Sequence, residues 1–380
     1  MRVVAAALAA VLGLLPVVHP RSVAVAAQCA SPAGVYREGT GWAQRLTDPA
    51  RIWPLTDGSG QLVAVLGTGV DPANPQFGRD QVIGGSDLDD CDGRGTFAAG
   101  IVGAATDPAT TFAGMAPGVR ILALRHTQSV GSGQGEVDPD ALANRIDRAV
   151  AAGASVILVV APASRSTPAL ESAVRNALAR DAVIVSPAAS DKPESLSYPT
   201  ALPGVIGVGA HDRSGTPVQA EAGPHILLAA PGADLVSLAA GTAGSLGHRW
   251  SITNPAFAAA YVAGTVVLIR AYHPNLTPSQ VSDRLSRTAN RPPSGTRHLR
   301  LGWGILDVQA AVTAQLTAPP PSTARTATPA RISPAAAPAG PPTYPRLPGT
   351  LAIAGVAIAA LSALTVSVTR RARTRNWRQG

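Results

Sequence analysis

Between residues 62 and 310 the chain alternates short apolar runs with segments of helical periodicity, and this rhythm constrains the fold more than any other feature. Leu62–Leu66, Ile121–Leu124, Val156–Val160, Ala182–Val185, Val205–Val208 and Ile226–Ala229 carry no charged residue. Strands that are apolar on both faces need cover on both. The pattern therefore predicts an α/β fold, a three-layer arrangement with a mainly parallel sheet between helices. Helix signals fall in the intervals. Asp138-Pro139 sets an N-cap before a proline at the first helical position, opening a helix to about Ala152 that Gly153 stops. Leu170–Arg180 reads as a second helix. Pro255–Ala271, rich in small residues, suits burial between layers. Thr277-Pro278-Ser279-Gln280 has the form of a capping box and opens a helix to about Thr288.

The two ends of the chain differ from this body. Residues 1–27 read as a secretory signal: Arg2 supplies the positive start, Val3–Val18 is nearly all apolar, and Ala24–Ala27 offers small residues for cleavage. Leu351–Val368 runs without a charge and is followed at once by Arg370, Arg371, Arg373 and Arg375, as expected of a bilayer span with a cytoplasmic basic tail. Residues 317–348 hold ten prolines among Ala, Thr and Ser, which favours an extended, semi-rigid stalk. The expected organisation is a signal peptide (1–27), an N-terminal arm (28–60), a globular domain (61–316), a Pro-rich linker (317–348), a transmembrane helix (349–369) and a basic tail (370–380). The body then lies on the extracytoplasmic side of the cell membrane.

The formal charge of +8 does not point to nucleic acid. Ten of the 31 basic residues lie in segments 1–27 and 317–380, which leaves 21 against 23 acidic residues in the body. A near-neutral body gives no support to a DNA- or RNA-binding face. Outside the cytoplasm the two cysteines, Cys29 and Cys91, would be oxidised, and each is the other's only intramolecular partner. No cluster of His, Cys, Asp or Glu has metal-ligand spacing, so neither metal nor cofactor is expected. The acidic group Asp87, Asp89, Asp90 and Asp92 reads as a solvated loop, with cation binding or contact with Arg94 as the alternatives.

Seven segments, in order, resemble the subtilisin-like serine proteases. Leu62–Val70 (LVAVLGTGV) is similar to the strand and turn that carries the family's aspartate. Gly93–Gly100 (GRGTFAAG) resembles the helix start that carries its histidine. Gly114–Arg125, Tyr198–Ala210 (YPTALPGVIGVGA), Ala229–Leu238 (AAPGADLVSL), Phe257–Gly264 (FAAAYVAG) and Gly302–Ala311 follow the remaining family blocks. With the signal, the N-terminal cysteine, the stalk, the single span and the basic tail, the chain resembles the mycosins, membrane-anchored subtilases that accompany type VII secretion systems. The resemblance implies a subtilisin-like fold and, as partners, the membrane and type VII secretion membrane components.

The resemblance also implies where a catalytic triad would sit, and the chain departs from it at all three places. The aspartate position is Gly67, the histidine position Arg94 and the serine position Ala256, while the oxyanion asparagine is replaced by Ser190. Alanine offers no nucleophile and a guanidinium does not give up its proton, so no proton relay is expected. A catalytically inactive pseudoprotease with a structural or docking role is the reading that uses every observation. The alternatives are an active endopeptidase through a non-standard site, with His225, His248 and Ser251 the set to examine, and a peptide-binding receptor using the old cleft. Family members add peptide as a strand to the edge after Val156–Val160. There Pro162, without an N–H, either weakens docking or merely ends the strand.

Overall fold

The computed structural model describes residues 29–128, 136–190, 194–292 and 295–316. The expected signal peptide, linker, transmembrane helix and basic tail lie outside the described residues.

A parallel sheet of seven strands forms the centre, in the order β2-β3-β1-β4-β5-β6-β7. The strands are β1 (Leu62–Gly67), β2 (Val82–Ile83), β3 (Arg120–Arg125), β4 (Val156–Val159), β5 (Val183–Pro187), β6 (Ile206–His211) and β7 (Ile226–Pro231). Residues alternate between the two faces, as the pleat requires. Val63, Val65, Val156, Leu158, Val183 and Val185 join one core, and Ala64, Leu66, Ile157, Val159 and Ile184 join the other. The first core is covered by α2 (Arg94–Gly103) and α5 (Ala258–Tyr272), the second by α3 (Pro139–Ala151) and α4 (Pro168–Ala179). This is the three-layer α/β arrangement expected from the sequence.

The helix signals act as read. Asp138 accepts from the Asp140 N–H at 3.0 Å, and Gly153 turns away at φ +78°. Thr277 and Gln280 form both halves of the capping box on α6 (Pro278–Thr288). Pro255–Tyr272 is long and apolar enough to cross a bilayer, yet 83% of it is buried inside the domain. It starts as a 3₁₀ turn over Pro255–Phe257 and is the central core helix rather than a span.

Several elements were not legible, β2 among them. The antiparallel pair β8 (Leu235–Leu238) and β9 (His248–Ile252) forms a second small sheet, and α1 (Trp42–Thr47) docks the N-terminal segment. The Trp42 indole N–H donates to the carbonyls of Ala233 and Asp234, and Tyr36, Trp42 and Ile52 join the main core. Cys29 and Cys91 are joined by a disulfide that closes a loop of sequence separation 62. Replacing both with serine is expected to cost about 2–4 kcal/mol, because the unfolded chain regains the freedom the loop removed. A urea midpoint under non-reducing conditions reads this loss, and an unchanged midpoint would show the bond to be dispensable.

Candidate functional site

A cleft of about 700 Å³ opens at the carboxyl ends of the central strands, where chain connections diverge to either side of β1. Its wall takes Val160 and Pro162 from the end of β4, Ala189 and Ser190 from the end of β5, Arg94 from the start of α2, and Ala256 from the turn before α5. Three of the four residues singled out from the sequence, Arg94, Ser190 and Ala256, therefore share one cavity. Pro162 stands in its wall, and of the two readings for that proline the structure favours the one that bears on docking.

Gly67 ends β1 directly behind the cleft. A Cβ there would lie 3.2 Å from the Val160 Cβ, tighter than ordinary contact. The branched Val160 side chain stands against the point where a side chain at 67 would begin.

The loop before α2 explains how this end of the cleft is held. Asp90 is buried and accepts from the Thr68 hydroxyl (2.7 Å), the Gly93 N–H (2.9 Å), and the Thr96 N–H and hydroxyl (both 2.7 Å). It satisfies the orphan amides at the start of α2 while tying them to the turn after β1. Burial outweighs these hydrogen bonds and holds its carboxyl above the ordinary value. Asp87 is buried against Arg145 (3.5 Å) and Arg148 (3.9 Å) of α3. Arg94 turns its Nε to Asp92 at 3.3 Å, while Asp89 alone is largely exposed, near Arg125. The acidic group is thus not a solvated loop. Two of its four carboxylates are buried parts of the framework, and a third pairs with Arg94.

The opposite wall is organised by a residue that the sequence did not single out. Glu221 is fully buried and accepts from the Ser190 N–H (3.0 Å), the Ser197 N–H (2.9 Å), the Ser197 hydroxyl (2.6 Å) and the His225 ring (2.9 Å). Burial pushes its carboxyl up, but the bonds from His225, Ser197 and Ser190 prevail and hold it below the ordinary value. The Ser197 hydroxyl also accepts from the Ala189 N–H at 3.1 Å. The order is hydroxyl, carboxylate, imidazole, so the carboxylate fixes the loop and stands between the serine and the imidazole. The i,i+4 spacing of Glu221 and His225 was the one signal available for it.

The His225, His248 and Ser251 set does not assemble. His248 is buried with one ring nitrogen on Gln76 Oε1 (2.6 Å) and the other accepting from the Tyr36 N–H (3.2 Å). His225 meets Glu221, and neither ring bonds Ser251. Among the described residues no group of three or more His, Cys, Asp or Glu is placed to hold a metal ion.

A strand end, a helix start and a core helix converging on a cleft is the arrangement of a subtilisin-like domain, and residues 58–304 match the Subtilase family. The chain belongs to the subtilase family. Within it, Mycosin-4 of Mycobacterium tuberculosis (strain ATCC 25618 / H37Rv) is 34% identical over 375 residues, covering 87% of this chain and 82% of that protein. Among solved structures, the MycP3 protease from the type VII (ESX-3) secretion system superposes with a TM-score of 0.66 at 30% identity, over 76% of this chain and 93% of that one. A chain of the intact ESX-5 inner membrane complex is similar at a TM-score of 0.65 and 26% identity, over 91% of this chain and 94% of its own.

Proposed function

We propose that the chain is a mycosin-like subtilase without peptidase activity, serving as a structural or docking member of a type VII secretion membrane complex. The observation that carries this reading is the composition of the cleft. Ala256 and Arg94 line it, Gly67 lies behind it, and none of the three supplies a nucleophile, a base or an orienting carboxylate. Removing the members of such a triad leaves only the residual catalysis of binding and oxyanion donors, of order 10³–10⁴ over water. The framework around the cleft is nonetheless intact, with the buried carboxylates Asp90 and Glu221 fixing its two sides. A relative that is a protease shares the fold, so loss of activity is assigned from the residues alone.

Similarity to a chain of an assembled secretion complex supports the docking role and membrane location. On this reading residues 1–27 are removed on export, the body stands outside, residues 349–369 span the membrane, and the tail 370–380 stays in the cytoplasm. Two measurements test it. A fluorophosphonate probe applied to the full chain is expected to label no serine, and stoichiometric labelling would show an active hydrolase. Under mild detergent, type VII membrane components are expected to co-purify from the native membrane, and their absence would remove the docking role.

A further inference from the structure

We propose that the cleft binds the C-terminal carboxylate of a peptide through Arg94, with the last side chain against the apolar wall. The inference deepens the reading above, since a chain end persists there only if the site does not process it.

Charge is the first argument. Among the described residues lining the cleft, Arg94 is the sole charged one and none is a carboxylate. Its side chain is partly exposed and uses only Nε towards Asp92, at 3.3 Å. The two terminal amino groups make no hydrogen bond among the described residues, and they form the fork that matches a carboxylate edge to edge. Two other acids nearby are committed elsewhere: Asp90 to the start of α2, and Glu221 to Ser190, Ser197 and His225.

Shape and backbone chemistry give the second argument. Val160, Pro162, Ala189, Val218 and Ala220 make much of the wall apolar, which suits a small or aliphatic terminal side chain. Ala256, with only a methyl group, leaves room beside it. An internal stretch of peptide finds little to hold it, because Pro162 lacks an N–H. Next to it the Ala163 N–H and C=O are both spent on Tyr198, at 2.8 Å each. An extended ligand laid on this edge loses the backbone bonds that give strand addition its affinity. A charged terminus is the anchor that remains.

The test uses the full chain in mild detergent and a fluorescein-labelled pool Gly-Ser-Ala-X, with X being Ala, Val or Leu, as the free acid or the C-terminal amide. Anisotropy is expected to show saturable binding of the acid, about tenfold tighter than the amide, as for a hydrogen-bonded charged pair. Arg94→Gln should reduce that ratio below twofold, and Arg94→Lys should restore part of it. A thermal midpoint confirms that each variant is folded. Equal binding of acid and amide, no binding of the acid, or an acid preference that survives Arg94→Gln would each overturn the proposal. Mass spectrometry of the same pool keeps the two readings apart. Shortened peptides would overturn the inactive-protease reading, while the acid-to-amide ratio judges this site.

Discussion

Acidifying the solution from pH 7 to 4.5 will lower the folding stability of this chain by about 5 kcal/mol, chiefly through His126 and His248, whose rings desolvation holds neutral. His126 bonds the Ala161 carbonyl through Nε2 at 2.9 Å, and its Nδ1 is buried without a partner among the described residues. His248 is enclosed between Gln76 and Tyr36. Burial depresses both rings to about 4. An unfolded chain takes up these protons near pH 6.5, whereas the folded one resists until about pH 4. The stabilisation is therefore complete above about pH 6.5 and lost progressively below it, at about 2–3 kcal/mol per ring by pH 4.5. His211, lowered by burial in the same way, adds in the same direction. Glu221, also lowered, acts with them at more acidic pH, and Asp90, raised, acts against them. Domain stabilities are about 5–15 kcal/mol, so the effect approaches the whole margin. Urea midpoints at the two pH values measure it, and ring proton resonances assign it. Midpoints that coincide, or rings that titrate near pH 6.5, would refute the account.

Gly95→Ala will destabilise the domain by about 3 kcal/mol, although it adds one methyl group in a helix where alanine is ordinarily favoured. The added Cβ would fall 1.8 Å from the Gly69 carbonyl oxygen, which is backbone and cannot swing aside. Gly69 itself has φ +109°, and a Cβ on it would lie 2.1 Å from the Asp89 carbonyl. The turn after β1 thus meets the start of α2 at Gly95 and the loop before it at Asp89, backbone to backbone, and glycine at 95 and 69 is what allows the two approaches. Gly39→Ala, where nothing lies within 4 Å, is the control and should be neutral. A loss below about 1 kcal/mol for Gly95→Ala would mean that the two segments part easily.

The central sheet was legible because its strands are buried on both faces, so local composition alone marks them. Capping residues were legible for the same reason, since Asp138 and Thr277 act on amides two or three residues away. What escaped depends on partners far along the chain. β9, His-Arg-Trp-Ser-Ile, has no apolar alternation and is a strand because β8 and Gly34 pair with it. Asp87 looked solvated because its arginines, 145 and 148, stand on α3, and Asp90 because the polar atoms that bury it belong to two separate segments. At the cleft, the sequence brought Arg94, Ser190 and Ala256 to one cavity through resemblance to a family. It did not reveal Glu221, whose significance lies in Ser190 and Ser197 folding back on it.

The ties made by Asp90 have an evolutionary consequence. The bonds that hold the turn after β1 to the start of α2 run through Thr68, Asp71, Asp90, Gly93, Gly95 and Thr96, and the Arg94 side chain makes none of them. Selection for a stable shape and selection for peptide cleavage thus fall on different, interleaved residues. A lineage that no longer needs the cleavage is free to drift at 67, 94 and 256 while the surrounding positions stay under constraint. The contours of such a domain can thus outlast the chemistry of its cleft.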